Sequence, residues 1–473
     1  MSDLGKYPLP KGWTWATIPD LVGETGVFVD GDWVESIDQD PSGNVRLIQL
    51  ADVGDGVYRD KSERFMTKAK AEELRCTFLN EGDVLIARMP DPLGRACIFP
   101  GDPKPSVTVV DVAIARSGNG RFDHRWLACF VNAHPFRSAI SELQAGSTRK
   151  RISRGNLATI PLPVPPLPEQ RRIVAEIEKQ FTRLEAGVTA LRQVQANLKR
   201  YRAAVLKAAC EGRLVPTEAE LAKTGKRKST FETGEALLAR ILADRRKSWK
   251  GRGSYQEPAA PGVASLPLLP EGWIWARLEQ LGLTFGGLTK NPRRAKLPKQ
   301  LPYLRVANIY ANELRLQEIE HIGVEESELE KLLVHAGDLL IVEGNGSKDQ
   351  IGRLAIWDGS IDPCVHQNHL IKVRPVETRM PKWILHWLQS PTGRHHVELV
   401  ASSTSGLYTL SVNKVGDLPV ALPPLAEQTR IVAEVERRLS VVDELEAVVS
   451  ASLQRATRLR QSILQKAFTG ELV

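Results

Sequence analysis

Cysteine is scarce and badly placed for pairing: Cys76, Cys97, Cys129, Cys210 and Cys364 are five in 473 residues, and no CxxC occurs. That argues against a structural zinc site or a disulfide framework and for reduced thiols. No apolar run approaches the roughly 18 residues needed to cross a bilayer. The opening MSDLGKYPLPKGW has neither the basic nor the apolar region of a signal peptide. A soluble, cytoplasmic protein without membrane contact is expected. Motifs of several enzyme classes are missing too. There is no HExxH, GxSxG or GxGxxG, and Gly346-Ser347-Lys348 lacks the spacing of a phosphate loop. An amino-methyltransferase needs Asn- or Asp-Pro-Pro-aromatic, whereas Pro165-Pro166 and Pro423-Pro424 are each followed by Leu. No acidic pair stands near a Lys as in metal-dependent nucleases. His366, His369 and the pair His395-His396 have no cysteine or carboxylate at ligand spacing, so no metal is expected. A chain with no catalytic residues of its own is the expectation.

What is present begins with size and charge. A 473-residue chain, 42% hydrophobic, buries a sizeable core and has room for two to four domains. Its net charge of +8 mildly favours a polyanionic partner and is equally compatible with ordinary solubility.

The main fact is an internal repeat. LPKGWTWATIPDL at 9–21 is matched by LPEGWIWARLEQL at 269–281. PPLPEQRRIVAEIE at 165–178 and PPLAEQTRIVAEVE at 423–436 differ at three places. More weakly, RYRAAVLKAACEGRLV at 200–215 echoes RLRQSILQKAFTGELV at 458–473. Fainter echoes lie between: Gly82-Asp83 with Gly337-Asp338, Gly94-Arg95 with Gly352-Arg353, Ile152-Ser153 with Leu410-Ser411. The offset is close to 258 residues, as from Pro165 to Pro423. Ends match and middles diverge, which suggests that the two middles face different targets.

Within each copy the GWxW tryptophans are expected in the core. Short Val- and Ile-rich runs bounded by Gly, Pro and Asp predict strands at 46–50, 84–87, 96–99 and 107–115, and at 303–306, 339–342, 354–357 and 370–373. Helices are predicted at 126–136 and 383–388. Then comes a Pro-rich hinge, 161–168 in the first copy, with Glu169 or Glu427 in the first turn of the helix that follows. Apolar residues recur there in steps of three and four, from Ile173, Ile177, Phe181 and Leu184 to Val205, and from Ile431, Val435, Leu439 and Val442 to Ile463. Each seam predicts a helix of about 40 residues, roughly 60 Å long, with Gly212 and Gly470 at the caps. The two helices would pair as an antiparallel coiled coil, pack onto another protein, or both. The expected class is α+β: two tandem globular α+β domains separated by two long helices. Boundaries fall at 1–165 and 267–423 for the globular domains and at 166–213 and 424–473 for the helices. An exposed, partly mobile linker with a short helix near 235–249 covers 214–266. Its basic clusters, Lys226-Arg227-Lys228 and Arg245-Arg246-Lys247, read more as a solvated face than as a DNA contact.

This layout resembles the specificity (S) subunit of Type I restriction–modification enzymes. The resemblance rests on the two PPLxEQ strings opening long helices, the LPxGWxW openings, and Ile152-Ser153 with Leu410-Ser411 before the hinges. It implies target recognition domains that each read half of a bipartite, asymmetric site on double-stranded DNA. It further implies helices that dock methyltransferase (M) subunits, two of them, and restriction (R) subunits. S-adenosylmethionine, ATP and Mg would be bound by those partners, which methylate adenine N6 and cleave DNA; this chain would hold no cofactor. The competing readings are a DNA methyltransferase, fused or not to a nuclease, and a scaffold that binds protein only.

Phosphate contacts need cations and base readout needs Arg, Lys, Asn or Gln in a groove. The candidates in the first copy are Lys68, Lys70, Arg88, Arg95, Arg149, Lys150, Arg151 and Arg154. In the second they are Lys290, Arg293, Arg294, Lys296, Lys299, Lys348 and Arg353, with Asn345, Gln367 and Asn368 as possible readers. Each is also readable as plain solvated surface.

Overall fold

The computed structural model describes residues 4–5, 8–89, 92–118, 120–146, 149–225, 231–249, 253–347, 350–404 and 406–473. They form two compact units, 1–193 with 449–473, and 194–448.

The first unit is built on a four-stranded antiparallel sheet. Its spatial order is Val27–Asp30, Val112–Arg116, Val84–Ala87, Ala96–Ile98. All four residues of Val84–Ala87 are buried, which is why this strand reads as an unbroken apolar run. Beside it lies a smaller sheet, Phe65–Met66, Val45–Ile48, Ser106–Thr108, whose last pair is parallel. The run predicted as one strand over 107–115 is therefore two strands in two sheets. The predicted helix 126–136 is likewise two, His124–Val131 and His134–Leu143; Pro135 opens the second and cannot donate to an upstream turn. Trp126, Phe130 and Phe136 fill the core against Phe468.

The second unit repeats that connectivity. Its sheet order is Gly282–Phe285, Leu370–Pro375, Leu339–Val342, Leu354–Ile356, and its smaller sheet is Glu320–Gly323, Gln300–Leu304, Val365–His366. Helices Pro381–Gln389 and Pro391–Val400 follow, with Trp383 and Trp387 in the core.

The matching strings turn out to be the fasteners of each unit. The GWxW segment is a strand in both: Thr14–Ala16 pairs with Leu162–Val164, and Ile274–Arg277 with Pro419–Leu422. The Pro-rich hinge is thus corrected to a strand. The indole N–H of Trp13 donates to Glu169 (3.1 Å) and that of Trp273 to Glu427 (2.9 Å). The next residue turns back on the helix start: Gln170 Nε2 donates to the Pro165 carbonyl, Gln428 Nε2 to that of Pro423. Trp13, Trp273 and Trp275 are buried as expected, and Trp15 is half-buried.

The long helices are Leu167–Cys210 and Leu425–Thr469. In the first unit Ile173, Val174 and Ile177 share a core with Ile463, Leu464 and Ala467. In the second, Val205, Leu206 and Ala209 share one with Ile431, Val435 and Leu439. Early residues of one helix meet late residues of the other, so within each unit the segments run in opposite directions. Ion pairs Glu185–Arg460 (3.3 Å) in the first unit and Arg202–Glu446 (3.1 Å) in the second follow the same sense. Gly212 and Gly470 have positive φ, and a Cβ there would meet Pro270 Cγ at 2.6 Å and Pro10 Cγ at 2.5 Å. Glycine is needed twice over, for the turn and for the close approach.

The linker departs from expectation. Helix Gly234–Lys247, capped by Thr233, buries Leu237, Leu238 and Ile241 in the second unit's core. A further helix, Glu218–Lys223, carries a Thr217–Glu220 capping box, and its buried Glu218 pairs with Arg430. Lys226, Arg227 and Lys228 lie outside the described residues, while Arg245 donates to the carbonyls of Glu279 and Gly282. Among the described residues no helix is long and apolar enough to cross a membrane.

Candidate nucleic-acid interface

Strand register decides which loops meet. In the first unit Asp30 faces Ala113, and Ala87 faces Val112. The segments after Asp30, after Ala87 and before Val112 therefore gather at one end of the four-stranded sheet. A fourth piece joins them: Ala145 bridges Arg151, and the Ile152 N–H donates to the Arg88 carbonyl.

Arg88 is the clasp of this end. It pairs with Asp30 (3.0 Å) and donates to the carbonyls of Ile152 and Val110. Arg95 is buried, with Nε on the Val53 carbonyl and Nη2 on that of Leu50. Both were candidate DNA contacts; in the structure their guanidinium donors hold loops together. Arg149, Lys150 and Arg151 are exposed on the neighbouring turn. Arg154 opens the short helix capped by Ser153, donates to the Phe28 carbonyl and lies 3.5 Å from Asp30. Lys68 and Lys70 start helix Lys68–Glu73; Lys68 pairs with Glu72, and Lys70 with Glu73 and, at 4.0 Å, with Asp38 of the loop that follows Asp30.

The second unit builds the same end with other side chains. Leu288 bridges Gln367, the Glu343 N–H donates to the His369 carbonyl, and the Leu410 N–H to that of Glu343. Gln367 and Asn368 are half-buried here, and Gln367 Oε1 accepts from the Val306 N–H. Asn345 lies on the strand Gly344–Asn345, paired with Leu407–Thr409. Arg353 donates to the Val306 carbonyl and sits 4.9 Å from the Tyr310 ring centroid. Lys348 lies outside the described residues.

The cations of 290–299 are answered by an acidic strip that the linear sequence keeps far away. Lys290 pairs with Glu320 (2.8 Å), Arg293 with Glu325 (3.2 Å), and Lys299 with Glu326 (3.0 Å). Arg294 holds Glu328 with two nitrogens, which lowers the carboxyl's pKa and raises the arginine's. Lys296 is exposed. This face is an ion-paired surface rather than a naked cationic patch.

The histidines do not gather. Burial pushes His366 down to about 4 and leaves it neutral, and its Nδ1 lies 3.0 Å from the Leu370 carbonyl oxygen. His369 faces Glu343, and His395 lies beside His396. Among the described residues no three His, Cys, Asp or Glu come together as metal ligands. Trp33 and Ile37, in the loop after Asp30, are prominently exposed. Their near neighbours in the chain are acidic, so charge alone gives no sign of them.

Residues 58–192 match a family model described as the Type I restriction modification DNA specificity domain. Over 352 residues, 73% of this chain and 65% of the relative, the chain is 26% identical to the Type I restriction enzyme EcoKI specificity subunit of Escherichia coli K12. It is also 26% identical over 349 residues, again 73% and 65%, to the StySPI specificity subunit of Salmonella potsdam. The matches thus span about 65% of the length of these relatives. A chain solved in work on complex assembly and conformational transition of the type I R-M system has a TM-score of 0.63. At 20% identity, over 98% of this chain and 100% of that one, it speaks to the fold. The resemblance to Type I specificity subunits carried by the repeated strings is shown by these matches.

Proposed function

We propose that this chain, similar to the specificity subunits of Type I restriction–modification enzymes, reads double-stranded DNA for such a complex and has no catalytic site of its own. The observation that carries the reading is a sheet-end assembled twice by the same strand order and dressed with different side chains. One such end per unit suits a bipartite, asymmetric target, each tandem recognition domain reading one half. The net charge of +8 favours the polyanion. Phosphate contacts fall to exposed cations such as Arg149, Lys150 and Arg151, and base readout to Asn345, Gln367 and Asn368.

The two long helices, paired as an antiparallel coiled coil, set the unread gap between the half-sites, as the spacing of paired DNA readers sets theirs. Their outer faces dock two methyltransferase subunits, and restriction subunits join them. S-adenosylmethionine, ATP and Mg arrive with those partners, in the cytoplasm. Inserting the same few residues into both helices tests this: mapped methylation sites should keep both half-sites and change the gap, and an unchanged gap overturns the reading.

A further inference from the structure

We propose that Trp33 is a base-stacking residue of the first unit, applied to duplex DNA at the end of the four-stranded sheet. The inference rests on the DNA-reading function proposed above and names one side chain that supplies non-electrostatic grip.

The indole is 71% exposed, and Ile37, four residues on, is 87% exposed. Single apolar residues on a surface need no explanation. Here two large ones share a loop that is pinned rather than loose. The Gly31 N–H donates to the Val112 carbonyl and the Asp32 N–H to that of Thr108. A Cβ on Gly31 would lie 2.3 Å from the Val109 carbonyl oxygen, so the chain must pass here bare. The Trp33 indole N–H donates to Glu35 at 3.0 Å, and the Glu35 N–H to Asp38. The ring is presented, with its conformational cost largely met before any partner arrives.

The exposed cations of this sheet-end lie on one turn, tied to the loop through Asp30. On one flank Asp30 ties the loop to Arg88 and Arg154, next to the exposed turn of Arg149, Lys150 and Arg151. On the other, Asp38 ties it to Lys70. Five carboxylates between Asp30 and Asp40 would repel phosphate, but each has a task, Asp40 accepting from the Ser42 N–H and hydroxyl. Asp30 and Asp38 face those cations, Glu35 holds the indole, and Asp32 is half-buried, accepting from the Thr77 N–H with its pKa pushed up by burial. An exposed aromatic tip on the same sheet-end as the cationic turn 149–151 fits a base step edged by phosphates. The corresponding segment of the second unit, after Phe285, holds Leu288, Lys290 and Arg293 and no aromatic, so the stacking contact belongs to one half-site only.

The test uses the full chain with methyltransferase subunits bound and a labelled library of sheared genomic duplexes. Trp33→Ala should weaken binding about tenfold, as removal of one stacked base does, while the slope of affinity against salt stays unchanged. Trp33→Phe should recover most of the affinity. Replacing Arg149, Lys150 and Arg151 with Ala should weaken binding and flatten that slope. Because the ring is exposed, Trp33→Ala should melt with the parent protein. Wild-type affinity in Trp33→Ala beside a weakened triple variant overturns the stacking role and leaves the DNA-reading function standing. A parent complex that binds no duplex brings down both.

Discussion

The two units share a scaffold and differ in how their charges are settled. At the first sheet-end the turn 149–151 presents its cations to solvent, and Trp33 is exposed on the loop after Asp30. At the second, Lys290, Arg293, Arg294 and Lys299 each face a glutamate. The interiors differ as well. Glu427 is fully buried and accepts from both the Trp273 indole and the Glu218 N–H, whereas Glu169 is half-buried and holds Trp13. Arg116–Asp83 and Arg374–Asp338 are equivalent pairs in which each aspartate is buried and each arginine half-buried, yet two residues before the arginine the first unit has Ile114 and the second has Lys372. The two units share the fasteners and differ in both the display and the buried charge. The second unit should therefore respond more strongly to pH and less strongly to removal of surface cations.

The largest expected difference lies at the helix starts. Glu427→Ala leaves two buried N–H donors unpaired and should cost about 2–5 kcal/mol, against about 1 kcal/mol for Glu169→Ala, by urea unfolding. Burial raises the Glu427 pKa above 4.5. The folded state thus keeps this proton longer than the unfolded chain, and stability falls as pH climbs from 4.5 through the folded pKa. Glu427→Gln should remove that fall, and equal destabilisation of the two alanine variants would erase the contrast.

Next in size is the removal of surface cations. Replacing Arg149, Lys150 and Arg151 with Ala should weaken duplex binding about tenfold or more and reduce the salt slope by about 0.9 for each phosphate no longer neutralised. Lys290 and Arg293 to Ala should do less, because Glu320 keeps Arg305 as a partner and each removed cation was already shared with a carboxylate. A double variant as weak as the triple would mean that DNA displaces those carboxylates.

A third difference concerns Lys372, whose Nζ donates to the carbonyls of Lys331 and Leu333. Burial, and then Arg374, push its pKa from 10.5 down to about 7. The folded state sheds this proton first, so stability rises with pH between about 7 and 10.5. Lys372→Met should flatten that rise and add about 1 kcal/mol at pH 6. A wild type whose stability is flat across the window would remove this difference between the units.

Much was readable from residue order, because the signals are local. The seam from Ile173 to Val205 repeats along one helix, Val84–Ala87 and Leu339–Val342 are continuous apolar runs, and Gly212 and Gly470 sit just past helix ends. Other elements were missed where tertiary packing outweighed pattern. Val107–Ala115 divides between two sheets, and the polar-looking segment after Cys210 sinks Leu237 and Ile241 into a core. The candidate interface was the least readable part. Whether a cation is spent or available depends on partners tens of residues away, such as Glu320 for Lys290 or the Ile152 carbonyl for Arg88.

Residue order by itself therefore determined the repeat, the two long helices and the character of the buried strands, since periodicity, caps and apolar runs act between near neighbours in the chain. Only the tertiary structure decided which arginines are clasps and which face solvent, and that Trp33 is exposed on a pinned loop. Those outcomes depend on strand register and on through-space charge pairing, and neither is encoded within any short stretch of sequence.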